Sequence, residues 1–454
     1  MYSRWSSSAA SASRRAIGAL GMNRQDSVHP MTARSRLRRL AVDTGALRES
    51  VPFRRLVTGQ LVSQVGRQIT VVAVPFQVFT LTGSPLAVGG VGLVQAVCLI
   101  GASLGAGPIS DRMDRRHILL VTQLSLAACS GLLALGALAG RPPLVAIYAL
   151  VGVAAAVAAV DGPTRTAVVP NLVPAERLAG ALSLNIAMFQ TTLVAGPAIG
   201  GLVIARLGLP AAYLVDVATF AAALVAVVLL PPQSPAGTVR EAPIAAIRRG
   251  LAFARRQPVI LGGFAMDLAA MVFGMPRAVF PVLAVTTFHA GPQGLGLLYA
   301  APGAGAVLAA LTTGWLSRSS RLGRVIVVSI AIWGAAVIAF GFATAFWVAL
   351  LLLAVAGAAD SFSAVCRTTI MQTIVPDDLR GRLTAVYFMV VVGGPYLGDL
   401  EAGAVASAFT AQVSVVSGGI LSIVGLAAAS LAFPAVWAYR SRLGGPRPAR
   451  GEGR

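Results

Sequence analysis

Residues 107–116 read Gly-Pro-Ile-Ser-Asp-Arg-Met-Asp-Arg-Arg and separate two apolar segments, 86–110 and 117–139. Each segment exceeds the roughly 20 residues that a helix needs to cross a hydrocarbon core of about 30 Å. A charged loop this short between two such segments predicts a pair of antiparallel membrane helices. Apolar segments of the same kind recur from residue 56 to residue 439. The chain is therefore expected to cross a membrane many times.

The composition supports a membrane protein. Of the 454 residues, 56% are hydrophobic and only 11% are charged, with a mean hydropathy of +0.79; a soluble domain carries about 25% charged residues. The net charge of +20 comes from arginine, since the chain has no lysine. These arginines gather in the N-terminal tail and in alternate loops, which favours a membrane protein over a nucleic-acid-binding one.

Glycine, proline and charged residues divide the apolar region into twelve predicted helices, six on each side of the longest connection. The predicted fold is an all-α membrane protein with twelve transmembrane helices in two pseudo-symmetric six-helix bundles. The predicted helices are 56–81, 86–110, 117–139, 144–168, 178–205, 211–231, 258–287, 293–316, 323–343, 346–368, 380–408 and 414–439.

The same breaks predict five regions. They are a disordered, Arg- and Ser-rich cytoplasmic tail at 1–52, a six-helix bundle at 53–231, a cytoplasmic linker at 232–257, a second bundle at 258–440, and a cytoplasmic tail at 441–454.

A repeat supports the division into two bundles. Arg165-Thr166, followed by Leu172-Val173-Pro174, recurs as Arg367-Thr368, followed by Ile374-Val375-Pro376, at a constant offset of 202 residues. Internal repeats are typical of secondary transporters, in which the substrate site lies between the repeated halves near the middle of the membrane.

The arginines also predict the orientation. Short cytoplasmic loops retain positive charge during insertion. Sixteen arginines lie in loops or helix ends on the side of the N-terminus, and two, Arg141 and Arg206, lie on the other side. We therefore expect a multi-pass protein of the bacterial cell membrane with both termini in the cytoplasm. The sixteen are Arg112, Arg115, Arg116, Arg165, Arg177, Arg240, Arg248, Arg249, Arg255, Arg256, Arg318, Arg321, Arg324, Arg367, Arg380 and Arg382.

The loop 107–116 resembles the loop signature of the major facilitator superfamily: a glycine, then Asp-Arg, then paired basic residues. This resemblance implies that Gly107 allows close helix approach and that Asp111 faces a helix N-terminus of the other half and holds an inward gate. Asp114 stands where the family usually has glycine. The alternative is an ordinary positively charged loop with incidental acids. The gating residues implied are Gly107, Asp111, Arg112, Arg115 and Arg116.

Residues 196–201, Gly-Pro-Ala-Ile-Gly-Gly, resemble the antiporter motif of drug and metabolite exporters in that superfamily. Proline bends a helix, and the glycines let another helix pack against the bend. A packing kink without influence on transport direction is the alternative. Residues 53–440 as a whole resemble the drug:proton antiporter branch, which includes siderophore exporters and multidrug and macrolide efflux pumps. The motif residues are Gly196, Pro197, Gly200 and Gly201.

Ionisable side chains at bilayer depth are costly and are therefore candidates for ion paths or substrate contacts. Arg67 lies about eleven residues into the first helix, and a lone guanidinium there needs an anionic partner or a water-filled cavity. We expect Arg67 to face the central cavity and either to pair with Asp267 or Asp399 or to contact an anionic cargo. The same two aspartates are the first candidates for proton coupling.

Two further charge pairs are predicted near cytoplasmic helix ends. Asp161 and Arg165 are four residues apart and share one helical face, although Pro163 between them is able to distort it. Asp360 and Arg367 are two turns apart at the corresponding edge of the tenth helix. For both pairs a structural role and a coupling role stay open.

The expected function is proton-coupled export of small amphiphilic molecules, siderophore or drug, by alternating access. A chain without lysine has no phosphate-binding Gly-x-x-x-x-Gly-Lys loop, so a proton gradient is expected to supply the energy. A same-fold importer and a non-transporting membrane sensor remain alternatives. We expect no catalytic residue, no metal, no cofactor and no nucleic acid; the expected partners are the bilayer, the cargo and protons, and the chain is expected to be a monomer.

Overall fold

The computed structural model describes residues 45–233 and 243–441. Within those ranges every regular element is a helix, in agreement with the predicted all-α class. Side chains are described except at 106–112, 243–244, 246–247, 317–318, 377–378, 381–382, 385, 388–389 and 392.

The long helices are labelled α1 to α12 in chain order. One of them, Leu178–Val228, carries two labels because it changes direction at Gly208: residues 178–207 are α5 and residues 209–228 are α6. The others are α1 (Val51–Thr82), α2 (Pro85–Arg112), α3 (Arg115–Leu138), α4 (Leu144–Leu172), α7 (Pro258–Phe273), α8 (Gly291–Thr312), α9 (Leu322–Gly341), α10 (Phe346–Ile374), α11 (Asp377–Ala408) and α12 (Ala411–Ala432).

The helices are consistent with the twelve predicted crossings. Nine stretches in the described ranges are long and apolar enough to span a membrane. One of them, Ala175–Val228, has 54 residues, or about 80 Å of helix, enough for two crossings. The two remaining long helices, α1 and α11, have 32 residues each.

Local sequence explains where these helices begin and end. The Ser50 hydroxyl accepts a hydrogen bond from the Phe53 amide at 3.2 Å and caps α1, and Gly83, with φ of 64°, ends it. The predicted loop between the fifth and sixth helices is reduced to a single residue, Gly208. Its φ of 82° and ψ of 174° are accessible to glycine because glycine has no Cβ. Pro210 lies in the first turn of α6, where a backbone amide has no partner within the helix, so the missing N–H of proline costs nothing there.

The predicted seventh crossing, 258–287, coincides with a candidate membrane span, but it is not one continuous helix. Helix α7 ends at Phe273, because Gly274 and Pro276 follow. A 3-10 turn at Arg277–Val279 and a π-helical turn at Leu283–Thr287 then lead to α8. Arg277 therefore lies in a break between helical segments and not within a helix.

Three predicted boundaries also change. Helix α4 continues to Leu172, so Asp161 and Arg165 lie inside it and not at its end. The predicted twelfth helix breaks before Pro434. The tail predicted to be disordered through residue 52 is wrong for residues 45–52, since Gly45–Glu49 is helical and Glu49 pairs with Arg177 at 2.6 Å. Residues 1–44, 234–242 and 442–454 lie outside the described residues.

Helices α1–α6 are called here the first half and α7–α12 the second half. The linker end of the bundle is where α6 stops and the linker begins, and the far end is the opposite one. The halves meet closely at the far end: a Cβ on Gly201 of α5 would lie 2.9 Å from the Cα of Gly296 in α8. Likewise, a Cβ on Gly89 of α2 would lie 2.6 Å from the carbonyl oxygen of Asp399 in α11.

Two glycines of α2 nearer the linker end have open space beside them. A Cβ added to Gly101 or Gly105 would meet no heavy atom within 4 Å in the described structure. Helix α2 still contacts α11 at this level, since a Cβ on Gly393 of α11 would lie 3.8 Å from the Ile100 side chain.

Candidate transport site

The first half holds an ion pair inside α4. The Arg165 Nε donates to Asp161 Oδ2 at 2.8 Å, which confirms the predicted i,i+4 pairing despite Pro163. The Asp161 Oδ1 also accepts from the Thr122 hydroxyl at 2.8 Å and from the Gln123 amide at 2.9 Å. Both charges are almost fully buried. The Arg165 Nη2 also donates to Oδ1 at 3.4 Å, so four donors stabilise an ionised Asp161, and the pair joins α4 to α3.

A second buried acid of the first half has different partners. Asp216 in α6 is 1% exposed. Its Oδ2 accepts hydrogen bonds from the Thr70 hydroxyl of α1 at 2.6 Å and from the Ser130 hydroxyl of α3 at 2.7 Å. Hydroxyl groups thus surround this carboxylate, and the network joins three helices. One turn along α6, the Tyr213 hydroxyl donates to Gln77 of α1 at 2.6 Å.

Arg67 is half-buried on α1, and its guanidinium donates to Gln64 one turn earlier on the same helix. The acids that act on it electrostatically are Asp161 and Asp216, both of the first half. Tyr396 of the second half also acts on it, so Arg67 lies within electrostatic reach of the other half.

The predicted pairing of Arg67 with Asp267 or Asp399 is wrong, because both aspartates bind arginines of their own half. Asp267 in α7 is fully buried and pairs with Arg367 of α10. Arg367 also approaches Asp360, with 3.5 Å between Nη2 and Oδ1. One arginine thus serves two carboxylates. Asp360 is the more open of the two, with 35% of its side chain exposed.

Asp399 in α11 pairs with the arginine that follows the end of α7. The Arg277 Nη2 donates to Asp399 Oδ2 at 2.9 Å, and the guanidinium lies over the Tyr396 ring at 5.6 Å from its centroid. The Tyr299 hydroxyl of α8 donates to the Arg277 carbonyl oxygen at 3.2 Å. Arg277 lies within the predicted helix 258–287, and the helix break that turns it toward α11 was not foreseen.

The antiporter-like motif forms two helix contacts. A Cβ on Gly200 would lie 3.0 Å from the Ile69 Cα of α1, and one on Gly196 would meet the Gln68 side chain of that helix. Gly201, on another side of α5, meets Gly296 of α8 across the halves. The motif therefore sets the distance between α5 and two neighbours, one of them in the other half.

The predicted gating loop is only partly described. The side chains of Gly107, Asp111 and Arg112 lie outside the described residues, so the proposed contact of Asp111 stays a prediction. Arg115 donates to the Ala167 carbonyl oxygen of α4 at 3.0 Å, and Arg116 donates to that of Val228 in α6 at 2.6 Å. Arg116 thus lies at the C-terminal turn of α6, where a cation is favoured by the helix dipole, and Arg115 contacts α4 five residues before its end.

Asp114, which replaces the family's usual glycine, is the N-cap of α3. Its Oδ1 accepts from the Arg116 amide at 2.7 Å and from the Gln233 amide at 3.1 Å. The Arg115 amide donates to the Gln233 carbonyl oxygen at 3.1 Å, and Asn171 donates to the Gln233 side chain at 3.1 Å. The start of the linker is therefore fixed to the loop between α2 and α3.

Two apolar grooves of about 510 and 300 Å³ lie on the outer surface of the first half, between α2 and α4 and between α3 and α4. Exposed Val145 and Val121 belong to their walls. Neither groove includes a residue of the second half, so neither coincides with a site between the halves. The candidate transport site is instead the group of membrane charges described above: Arg67, Asp161, Arg165, Asp216, Asp267, Arg277, Asp360, Arg367 and Asp399.

Comparison with known proteins supports a transporter. The family model described as transmembrane secretion effector matches residues 44–442. The enterobactin exporter EntS of Citrobacter koseri is 31% identical over 379 residues, which cover 82% of this chain and 90% of that protein. The EntS protein of Salmonella typhimurium is 30% identical over 379 residues, with the same coverage of both chains.

Solved structures show the same fold at low sequence identity. The nucleoside transporter NupG superposes with a TM-score of 0.68 at 14% identity, covering 86% of this chain and 100% of that one. A bacterial homolog of the human lysosomal transporter Spinster, described as inward-facing and unoccupied, gives a TM-score of 0.67 at 14% identity, covering 85% and 98%. The chain is a multi-pass membrane transporter of the major facilitator superfamily and belongs to its transmembrane secretion effector family.

Proposed function

We propose that this transporter is an exporter of small amphiphilic molecules, siderophore or drug, driven by proton entry and working by alternating access. The observation that carries the proposal is the sequence similarity of about 30% to enterobactin exporters over four-fifths of the chain. The antiporter-like motif at 196–201 and its contact with α8 support the direction of transport.

The membrane charges support a polar centre for such a cargo. Arg67 lies within electrostatic reach of the second half and has Gln64 as its direct hydrogen-bond partner among the described residues. A half-buried guanidinium with spare donors suits an anionic group, because its planar fork binds carboxylates and similar oxygens in pairs. We infer that Arg67 contacts anionic cargo.

The packing supports alternating access. The halves are in close contact at the far end through Gly201 with Gly296 and Gly89 with Asp399. A conformation closed at one end is what a rocking mechanism requires in one of its two states. With both termini in the cytoplasm, as the arginines predict, the closed end is the outer one.

The test measures two cargo classes in the same cells. Cells producing the wild type, Arg67→Ala or Arg141→Ala are assayed for accumulation of a fluorescent efflux dye and for siderophore in the medium, with and without a protonophore. Arg141 is the matched control because it is an exposed arginine outside the candidate site. Membrane amounts of each variant are measured in parallel.

We expect the wild type and Arg141→Ala to lower dye accumulation or raise siderophore release, and we expect both effects to vanish with the protonophore. Arg67→Ala should lose most of the effect at equal membrane amount. Cargo uptake in place of release would favour an importer, and no difference from empty-vector cells would favour a sensor. Reporter fusions at both termini test the orientation, and molecular mass in detergent tests the proposed monomer.

A further inference from the structure

The buried acids of this protein differ in the kind of group that surrounds them. Asp161, Asp267 and Asp399 each contact an arginine. Arginine has five donors and no acceptor and stays protonated. A proton added to one of these three carboxylates would therefore break its ion pair. The new O–H group would also face the N–H groups of the arginine, which cannot accept a hydrogen bond.

Asp216 has no arginine within ion-pair distance in the described structure. Its nearest polar groups are the hydroxyls of Thr70, Ser130 and Thr219. A hydroxyl has one donor and two acceptor positions and rotates to suit its partner. The same three groups are thus able to donate to a carboxylate or to accept from a carboxylic acid.

The geometry distinguishes the two oxygens of Asp216. Both close hydroxyls, those of Thr70 and Ser130, reach Oδ2. Near Oδ1, the Thr219 hydroxyl already donates to the Asp216 carbonyl oxygen at 2.7 Å, and it lies 3.5 Å from Oδ1. With its single proton on that carbonyl oxygen, the Thr219 hydroxyl keeps lone pairs that a protonated Oδ1 is able to use. A proton on Oδ1 would have an acceptor on Thr219 while Oδ2 kept both of its donors.

Gly66 of α1 leaves the space for this arrangement. A Cβ at that position would lie 2.6 Å from Asp216 Oδ1 and would also overlap the Thr219 hydroxyl. The backbone of α1 is therefore as close to Asp216 as a glycine allows, next to the oxygen that has room for a proton.

We infer that Asp216 is the proton-binding carboxylate of the transport cycle, with Thr70, Ser130 and Thr219 as the hydroxyls that accommodate both of its protonation states. This inference rests on the proposed proton coupling. The step is a proton transfer alone: a proton from water binds a carboxylate oxygen and later returns to water. The charged group that faces Asp216 is Arg67 of α1, and Tyr213 is the titratable neighbour on its own helix; α3 contributes the Ser130 hydroxyl.

The inference replaces Asp267 and Asp399, which sequence reasoning favoured as proton carriers. Asp360 belongs with the arginine-bound acids, since its Oδ1 lies 3.5 Å from Arg367 Nη2. Glu401 lies two turns from the far end of α11, and its buried Oε2 has no hydrogen-bond partner among the described residues. Because Glu401 lies outside the candidate transport site, Glu401→Gln is the matched control.

The first readout does not depend on transport. Purified wild type, Asp216→Asn and Glu401→Gln are titrated with acid while the infrared C=O band of a buried protonated carboxyl group is followed. We expect Asp216→Asn alone to lose this band, and Thr70→Val to move the midpoint of its titration. A band that persists in Asp216→Asn would overturn the inference. If Asp216→Asn does not fold, the shift of the titration midpoint in Thr70→Val tests the inference instead.

The second readout uses proteoliposomes loaded with the efflux dye. A pH gradient should accelerate dye movement at least several-fold in the wild type and in Glu401→Gln, and should have no effect in Asp216→Asn, which should keep dye exchange without a gradient. Gradient-driven movement retained in Asp216→Asn would sink the inference and leave the proposed function intact. A wild type that ignores the gradient would sink the proposed function, while the infrared result still decides which acid binds a proton.

Discussion

The backbones of Gly201 in α5 and Gly296 in α8 lie so close that a Cβ on Gly201 would be 2.9 Å from the Gly296 Cα. The Pro292 carbonyl oxygen would lie 2.6 Å from the same Cβ. Small residues allow helices in membranes to approach in this way, and packing is the main source of their association. The antiporter-like motif therefore contributes directly to the contact between the halves.

Gly201→Ala should weaken this contact. Adding one methyl to a tight site typically costs about 1–3 kcal/mol, and here the cost falls only on the conformation that is closed at the far end. We expect reduced dye transport and a lower unfolding temperature in detergent. Gly101→Ala is the matched control, because its Cβ would meet no described atom within 4 Å. Equal behaviour of the two variants would contradict the packing role.

Arg367→Met should be strongly destabilising. It leaves Asp267 buried without its partner, and breaking a buried pair from one side typically costs about 3–5 kcal/mol. The double variant Arg367→Met/Asp267→Asn removes both charges and should recover most of that loss. Thermal unfolding of the purified variants measures both effects. A single variant as stable as the double would show that the pair is not needed.

Asp114→Ala should loosen the start of the linker. Loss of an N-cap costs about 0.5–2 kcal/mol, and the Gln233 amide loses its carboxylate acceptor as well. We expect faster tryptic cleavage at Arg248 and Arg249, followed with a C-terminal tag. Asp114→Asn keeps a side-chain acceptor and should be cleaved nearly as slowly as the wild type. Unchanged cleavage in the alanine variant would mean that the linker is held elsewhere.

Tyr213→Phe should leave the Gln77 side-chain oxygen without its buried donor. An unsatisfied buried polar group costs about 1–3 kcal/mol, whereas removing both partners can be nearly neutral. Tyr213→Phe/Gln77→Leu is therefore expected to be more stable than the single variant. Unfolding temperatures in detergent provide the comparison. A double variant that unfolds at a lower temperature than Tyr213→Phe would exclude a stabilising hydrogen bond.

The sequence predicted the fold well because lipid restricts the choices. A segment that crosses the hydrocarbon must satisfy its own backbone, so an apolar stretch of sufficient length is a helix. Errors arose where the backbone departs from regular helix. Gly208 turns the chain without a loop, and Gly274 with Pro276 ends α7 early. Hydropathy reports neither, since both positions lie in apolar surroundings.

Part of the charge arrangement was also predictable. The pair Asp161 and Arg165 follows from helical spacing alone. The partners of Asp267 and Asp399 lie 100 and 122 residues away in the chain, on Arg367 and Arg277, and no local pattern encodes which helix faces which. The hydroxyls around Asp216 come from three helices and are too common in sequence to be singled out before the packing is known.

The fixing of Gln233 to Asp114, Arg115 and Asn171 has a practical consequence for dissecting the molecule. Gln233 is the last residue described before 234–242 and stays with the first half, so the covalent link between the halves starts only after it. A gene divided between codons 238 and 239 would leave each fragment with the six long helices described for its half and with their mutual glycine contacts. Two such fragments, produced together, should complement each other as a split transporter.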